Sequence, residues 1–341
     1  MVEKSMAKNV TIRDVAERAQ VSPSAVTLAL NGKAGVSEET RQRIQQIAQE
    51  MGYAKRRERP PLERRNIHYV VARKFFREEE AHVPHFHNLL MQSLEKHCRE
   101  NNCFMVLHYV GSNEKDHDRV MDLIAGERDP MVVLQAADMP DALLRRWLEV
   151  VPHLVALNKY FVAVDVNLVA IDNKGGISQV TEHLIRQGCT KIGRIRGLSQ
   201  YQNIVERESG FQSCMRKHGL KPFCDLVVDT THKLTYNALG DYIRRGEPLP
   251  EAFVTDGDIQ ANAAVHALTD AGLRVPEDVA VVGFDDLPFA ATCRVPLTTC
   301  RIDREAMARM CVWLLLNQRF GPQEHCLKVR TTTVLVPRQS A

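Results

Sequence analysis

From Ile67 onward, short apolar runs alternate with amphipathic stretches of roughly a dozen residues, and this alternation limits the possible folds more than any other feature of the chain. The runs read IHYVVA, CFMVLHY, MVVLQA, LVAL, LVAID, KIGRIR, CDLVV, AFVT and VAVVGF, the last ending at Phe284. Strands separated by helices fold as right-handed βαβ units with parallel sheets. So many strands suit two adjacent sheets better than one. The expected core is therefore an α/β unit of two subdomains over residues 67–341, with the first break near Asp165 to Asn167. In such folds ligands bind beyond the carboxyl ends of the strands, in the cleft between facing subdomains. Asp258 follows AFVT and Asp285 follows VAVVGF. Each stands where a ligand would be gripped, or where an aspartate would cap the next helix.

The first 66 residues differ in character. They carry 13 Lys/Arg against 8 Asp/Glu, whereas the rest of the chain carries 32 against 34. The basic excess belongs to the N-terminus, where it points to a polyanionic partner. Thr11 with Asp14 three places on predicts a helix start, and Val15, Ala16 and Ala19 then form one apolar face ending near Gln20. Ser22-Pro23 predicts a second start, with the proline where its missing N–H does no harm, and Asn31-Gly32 predicts its stop. A third helix begins at Ser37 and carries Ile44, Ile47, Ala48 and Met51. Only about three residues separate the first two helices, so they must cross steeply, as in a helix-turn-helix. With Val26 and Leu30 pointing inward, Ser24, Ala25, Thr27 and Leu28 are left to enter a major groove.

At this point the residues resemble a known family. VTIRDVAERAQVSPSAVTLALNGKAGVSEETRQRIQQIAQEMGY, Val10 to Tyr53, is similar without a gap to the DNA-binding headpiece of the lactose-repressor (LacI/GalR) family of bacterial transcriptional regulators. The resemblance implies a headpiece over residues 1–58. It places Ser24 and Leu28 at base-reading sites, Thr11, Thr27 and Asn31 near phosphates, and Ile12, Ser22, Ala25 and Tyr53 in the same DNA-binding set. Many members have arginine at Leu28 and threonine at Ala25. Arginine reads guanine through two hydrogen bonds, whereas leucine makes only apolar contact, for example with a thymine methyl. A different operator is expected.

The core resembles the same family, whose effector domain is periplasmic-binding-protein-like. VTDGDIQANAAVHAL is similar to the family's A-N-D-x-x-A-x-G-A segment, with Gly257 for Asn and Asn262 for Gly, and RVPEDVAVVGFDDLPFAATCRVPLTTCRID matches closely. Arg207 in RESGF matches an R-x-x-G-F arginine, and Pro84 and Phe86 lie where many members have N-P-F-F. The resemblance implies that Arg207, Asp258 and Asp285 line an effector pocket for a sugar or sugar derivative, with a nucleoside or purine as the alternative. Phe86, Asn158 and Phe161 are further candidates to frame it or to serve the fold. It also implies a homodimer on a pseudo-palindromic double-stranded operator, with effector binding changing how the subdomains close.

The joining segment, 59–66, departs from the family. A leucine nine residues beyond Tyr53, which in the family wedges into the minor groove, is present as Leu62, but Pro60 and Pro61 precede it. Inside a helix each proline costs about 3 kcal/mol or more. Either the helix starts later or the segment stays extended as polyproline II. Arg56, Arg57 and Arg59 then either track phosphates or belong to a solvated spacer.

Other classes find little support. The sequence contains no G-x-G-x-x-G, Walker loop, G-x-S-x-G or H-E-x-x-H, so no enzyme, cofactor or metal is expected. His82, His85 and His87 lack regular ligand spacing, and Cys98 and Cys103 read as small core residues. MVEKSMAKNVTIRD has no apolar signal core, and no run approaches the ~18 apolar residues of a membrane span, so a cytoplasmic protein is expected. An exported solute-binding protein would have no use for the basic helices.

Overall fold

A computed structural model of the chain describes residues 11–30, 35–51, 65–72, 86–111, 113–198, 201–317 and 325–341. Two compact units form, Met1–Glu63 and Arg64–Ala341. In the first, α1 (Ile12–Ala19), α2 (Pro23–Leu30) and α3 (Glu38–Glu50) follow the capping residues read from the sequence. The Asp14 N–H donates to Thr11 Oγ1 at 3.3 Å while the Thr11 N–H donates to Asp14 Oδ2 at 2.7 Å, a reciprocal cap. Gln20, at a left-handed φ of 53°, ends α1. Ser22 Oγ then accepts from the Ala25 N–H at 3.2 Å and starts α2. Val15, Ala16, Ala19, Val26, Ala29, Ile44 and Ala48 form the small core. Ala29 holds the inward position beside Val26, and Leu30 packs against the core only partly buried.

The second unit has two lobes. The first contains β1 (Arg65–Ala72), α4 (Phe86–Glu100), β2 (Cys103–Val110), α5 (Glu114–Ala125), β3 (Met131–Gln135), α6 (Asp141–Val150), β4 (His153–Leu157) and β5 (Asn167–Ile171). The second contains α7 (Asn173–Arg186), β6 (Ile192–Gly197), α8 (Gln202–Lys217), β7 (Asp225–Val228), α9 (His232–Arg244), β8 (Ala252–Thr255), α10 (Asp258–Asp270) and β9 (Ala280–Val282). The C-terminal stretch adds β10 (Thr299–Ile302), α11 (Arg304–Asn317), β11 (Lys328–Thr331) and β12 (Thr333–Val336). One sheet has the order β11-β5-β4-β3-β1-β2 and the other β7-β6-β8-β9, and every pairing in both is parallel.

The break expected near Asp165 to Asn167 falls later. β5 pairs with β4, Ala156 opposite Leu168, and so completes the first lobe; the chain crosses only after Ile171. The β4–β5 connection, residues 158–166, contains no helix, and it imitates a boundary because parallel neighbours are usually joined by a longer helical crossover. Instead it folds inward, burying Phe161, Val164 and Val166 in the first lobe's core. The chain returns between β10 and α11, joins the first sheet as β11, and crosses back to β12, which pairs antiparallel with β10. Three strands of backbone therefore join the lobes. Among the described residues no helix is long and apolar enough to cross a membrane. All nine cysteines are free, with Cys98 and Cys103 buried.

Asp258 holds the second lobe's strand ends together. It is fully buried, and its carboxylate accepts from Thr299 Oγ1 at 2.5 Å and from the Leu287 N–H at 2.7 Å. Gly283 permits this approach, since a Cβ there would stand 2.3 Å from Asp258 Oδ1. Burial, then the neighbouring Asp285 charge, raise the Asp258 pKa well above the usual carboxylate range. A raised native pKa favours the fold at pH below the unfolded value of about 3.9, and this contribution is lost as pH rises through the native value. Asp258→Asn, which can serve both partners without ionising, is expected to fold and to lose that pH-dependent component. Asp258→Ala should destabilise the core by about 1–3 kcal/mol by stranding both donors. Urea unfolding across a pH series measures both.

Candidate functional site

On the headpiece, α2 presents Ser24 and Thr27 exposed and Ala25 and Leu28 half-buried, on the faces away from Val26 and Ala29. Thr27 Oγ1 donates to the Pro23 carbonyl at 2.9 Å, and Ser24 Oγ lies 2.8 Å from Ser22 Oγ. Both hydroxyl oxygens are thereby oriented while keeping lone pairs for an incoming donor. Thr11 is exposed at the start of α1, with its side chain engaged in the cap, and Ile12 packs partly buried against the headpiece core. Asn31, Tyr53, Arg56, Arg57, Arg59 and Leu62, with Pro60, Pro61, His82, Pro84 and His85, lie outside the described residues.

The core contains a cavity of about 310 Å³ walled by both lobes. Ala137, Asn158 and Ile171 reach it from just beyond β3, β4 and β5 or at their ends, with Phe86 and His87 from the start of α4. From the second lobe come Leu198 after β6, Asp229 after β7, Asp256 and Gly257 after β8, and Asp285 after β9. Every contributing strand thus offers its carboxyl end, as parallel α/β sheets do at ligand sites.

Arg207 of α8 is the hub. Buried in the wall, it donates from Nε to Asn173 Oδ1 at 3.0 Å, from Nη1 to the Asp256 carbonyl, and from Nη2 to Asp285 Oδ1 at 3.5 Å. Its guanidinium carbon stands 3.9 Å from the centroid of the Phe284 ring. Asp285 sits at φ 108° and Asp286 at φ 49°, left-handed positions that strain non-glycine residues by about 1–3 kcal/mol each. Arg304 offsets this by donating to both of their carbonyls at 2.7 and 3.1 Å, and the Asp286 carboxylate is held by Arg301 and Arg338, each at 2.6 Å. Burial raises the Asp285 pKa, while Arg207 and Arg304 oppose the shift. Behind the wall, Asp256 pairs with the buried Arg194 and accepts from the Gly197 N–H at 2.7 Å.

Beside the cavity, the Tyr160 N–H donates to Gln202 Oε1 and Gln202 Nε2 donates to the Tyr160 carbonyl, both at 3.1 Å. The side-chain amide on α8 thus pairs with first-lobe backbone as another peptide would. One turn along α8, Glu206 accepts from Arg330 of β11 at 3.1 and 3.0 Å. Arg330 in turn covers the Tyr160 ring at 4.3 Å. This polar latch spans the lobes on the same helix as Arg207, within its first two turns.

Of the residues singled out in the sequence, Phe86, Asn158, Arg207 and Asp285 meet at the cavity. Asp258 and Phe161 do not. Asp258 is consumed by the internal bonds already described, and Phe161 is buried in the first lobe with the Lys159 ammonium 4.5 Å from its ring centroid. His87 reaches the wall, its Nδ1 2.9 Å from Gln135 Nε2. Tyr201, Asn203, Asp256 and Gln260, which the sequence reading missed, also line it. Their one legible sign was position just past a strand. Elsewhere, Glu182, Cys214 and His218 bring three possible metal-ligand atoms together. Glu182 there already faces His218 at 2.8 Å, Lys217 at 3.4 Å and Arg186 at 3.4 Å. Its pKa is held down to about 2, chiefly by His218, while burial pushes the Cys214 thiol up to about 11. A carboxylate already paired with Lys217 and Arg186 and in contact with His218 makes this an ion-pair cluster rather than a metal site.

Comparison with known proteins agrees with this architecture. The model of "Bacterial regulatory proteins, lacI family" matches residues 11–55, and that of the "Periplasmic binding protein-like domain" matches residues 181–341. The HTH-type transcriptional repressor MelR of Bacillus subtilis (strain 168) is 29% identical over 349 residues, 97% of each chain. The solved complex of the transcriptional regulator CelR with cellobiose is 28% identical with a TM-score of 0.70, covering 97% of this chain and 100% of that one. The Lac repressor bound to ONPG, 21% identical, shares the fold at a TM-score of 0.70 over 98% and 100% of the two chains. The two family models together take in more than half of the sequence, and the chain belongs to the lacI family of bacterial regulatory proteins.

Proposed function

We propose that this protein is a transcriptional repressor that binds a pseudo-palindromic operator as a homodimer and whose DNA affinity is set by a sugar held in the core cleft. The observation that carries the reading is the union in one chain of a helix-turn-helix and a two-lobed cavity centred on Arg207 and Asp285. A carboxylate that accepts from hydroxyls beside a guanidinium that donates to them is the chemistry of polyol recognition. The relative solved with cellobiose supports the same class. Asp258 keeps a supporting role, fixing the loop that carries Asp285.

Coupling between cleft and operator rests on lobe closure. An effector touching both walls binds the closed arrangement better than the open one and shifts the population by that difference. We take the Gln202–Tyr160 latch, which bridges the lobes, to belong to the closed arrangement, so that effector and latch stabilise the same state. Closure would change the spacing of the two linkers in the dimer and hence whether both headpieces engage their half-sites.

Selection of genomic fragments by the purified protein at two salt concentrations tests the regulatory reading. An enriched fragment containing an inverted repeat and surviving the higher salt is expected; uniformly weak, salt-labile binding would refute it. Leu28→Arg should shift preference toward guanine at one position of each half-site, by about 1–3 kcal/mol, read by competition between operators differing only there. Gln202→Leu should weaken effector binding several-fold while leaving headpiece contacts to a single half-site unchanged.

A further inference from the structure

Three polar atoms in the cavity wall are buried without a protein partner: Gln260 Nε2, Asn158 Oδ1 and Asn203 Oδ1. Gln260 is 1% exposed. Its Oε1 accepts from the Asp256 N–H at 3.2 Å, which fixes the amide with its two N–H donors unused. Asn158 is likewise fixed, at a left-handed φ of 66° with its own N–H donating to the Val169 carbonyl at 3.0 Å. Buried polar atoms are rarely left unpaired, and three around one cavity point to a ligand that completes them.

The charge of the wall narrows that ligand. Asp229, Asp256 and Asp285 line the cavity, and among the described residues Arg207 is the lining lysine or arginine. Arg194 compensates Asp256 from behind, and Arg207 is already shared with Asp285. With Asp256 and Asp285 already holding Arg194 and Arg207, no lysine or arginine among the described lining residues is left to receive an added phosphate or carboxylate, whose burial without one is costly. A hydroxyl suits it, because each can donate to Asn158 Oδ1, Asn203 Oδ1 or Asp285 and accept from Gln260 or Arg207.

We infer that the cleft takes a neutral polyhydroxylated ligand, a free sugar or glycoside without phosphate or carboxylate, and that Gln260 selects it by donating from Nε2 to one of its oxygens. This deepens the effector reading above and rests on it.

The test uses the full chain in thermal-shift and calorimetric titrations against cellobiose and other neutral mono- and disaccharides, glucose 6-phosphate and further sugar phosphates, gluconate, and nucleosides. A neutral sugar should raise the Tm, and its phosphorylated or acidic counterpart should bind at least tenfold more weakly. Gln260→Glu keeps the oxygen that accepts from the Asp256 N–H but loses the donors; it should weaken the neutral sugar at least tenfold, with Gln260→Leu doing the same. A sugar phosphate or acid binding more tightly than its neutral form would overturn the inference while leaving a sugar-responsive regulator intact. Neutral-sugar binding unchanged in both folded variants would overturn the role of Gln260. A shift with nucleosides alone, or with no compound, would overturn the sugar reading itself. If the variants fail to fold, the wild-type selectivity still decides the ligand class.

Discussion

A buried guanidinium has to be compensated, and much of the core is arranged around compensating Arg207. Asn173, the Asp256 carbonyl and Asp285 receive its N–H groups, and Phe284 covers its face. These partners come from the start of α7, the end of β8 and the loop after β9, so one cation fixes the relative positions of three strand ends. The Asp285–Asp286 backbone adopts left-handed angles that survive only because Arg304, Arg301 and Arg338 hold them from the other side. The cleft is therefore built in advance of any ligand, and binding need not supply the ordering of its charged residues.

The lobes are joined by three runs of backbone rather than one, which restricts their relative motion to opening and closing about a common hinge. Some of the side-chain contacts between the lobes are polar: the Gln202 amide on Tyr160 backbone and Glu206 on Arg330. Polar contacts exchange with water at small net cost, so two arrangements of the lobes can lie close in free energy. A wholly apolar seam would commit the core to one of them. In the proposed reading, such a near balance would let a small ligand act at a distance.

The headpiece follows a different logic. Its core is small and locally wired, with caps at Thr11, Ser22 and Ser37 that settle the helix starts through contacts of three residues' separation. In the proposed reading its surface carries recognition, and Leu28 in place of the arginine frequent in the family would change what kind of base edge can be favoured.

That locality explains what the sequence alone determined. Capping pairs, the proline at the start of α2 and the strand–helix alternation act over a few residues, so the three headpiece helices and β1 to β9 were legible. The lobe boundary was not, because whether residues 158–166 separate two lobes or join two strands depends on β5 pairing with β4, a contact the local pattern does not encode. Strands β10, β11 and β12 escaped for a related reason: each is only four residues long, β10 and β11 mix Thr, Lys or Arg with apolar residues, and all three become strands only through distant partners. Asp258 and Asp285 both follow strands and read alike in the sequence. Only the tertiary structure decided that one is spent on Thr299 and Leu287 in the interior while the other faces the cleft, since burial and partner choice are set by elements far apart in the chain.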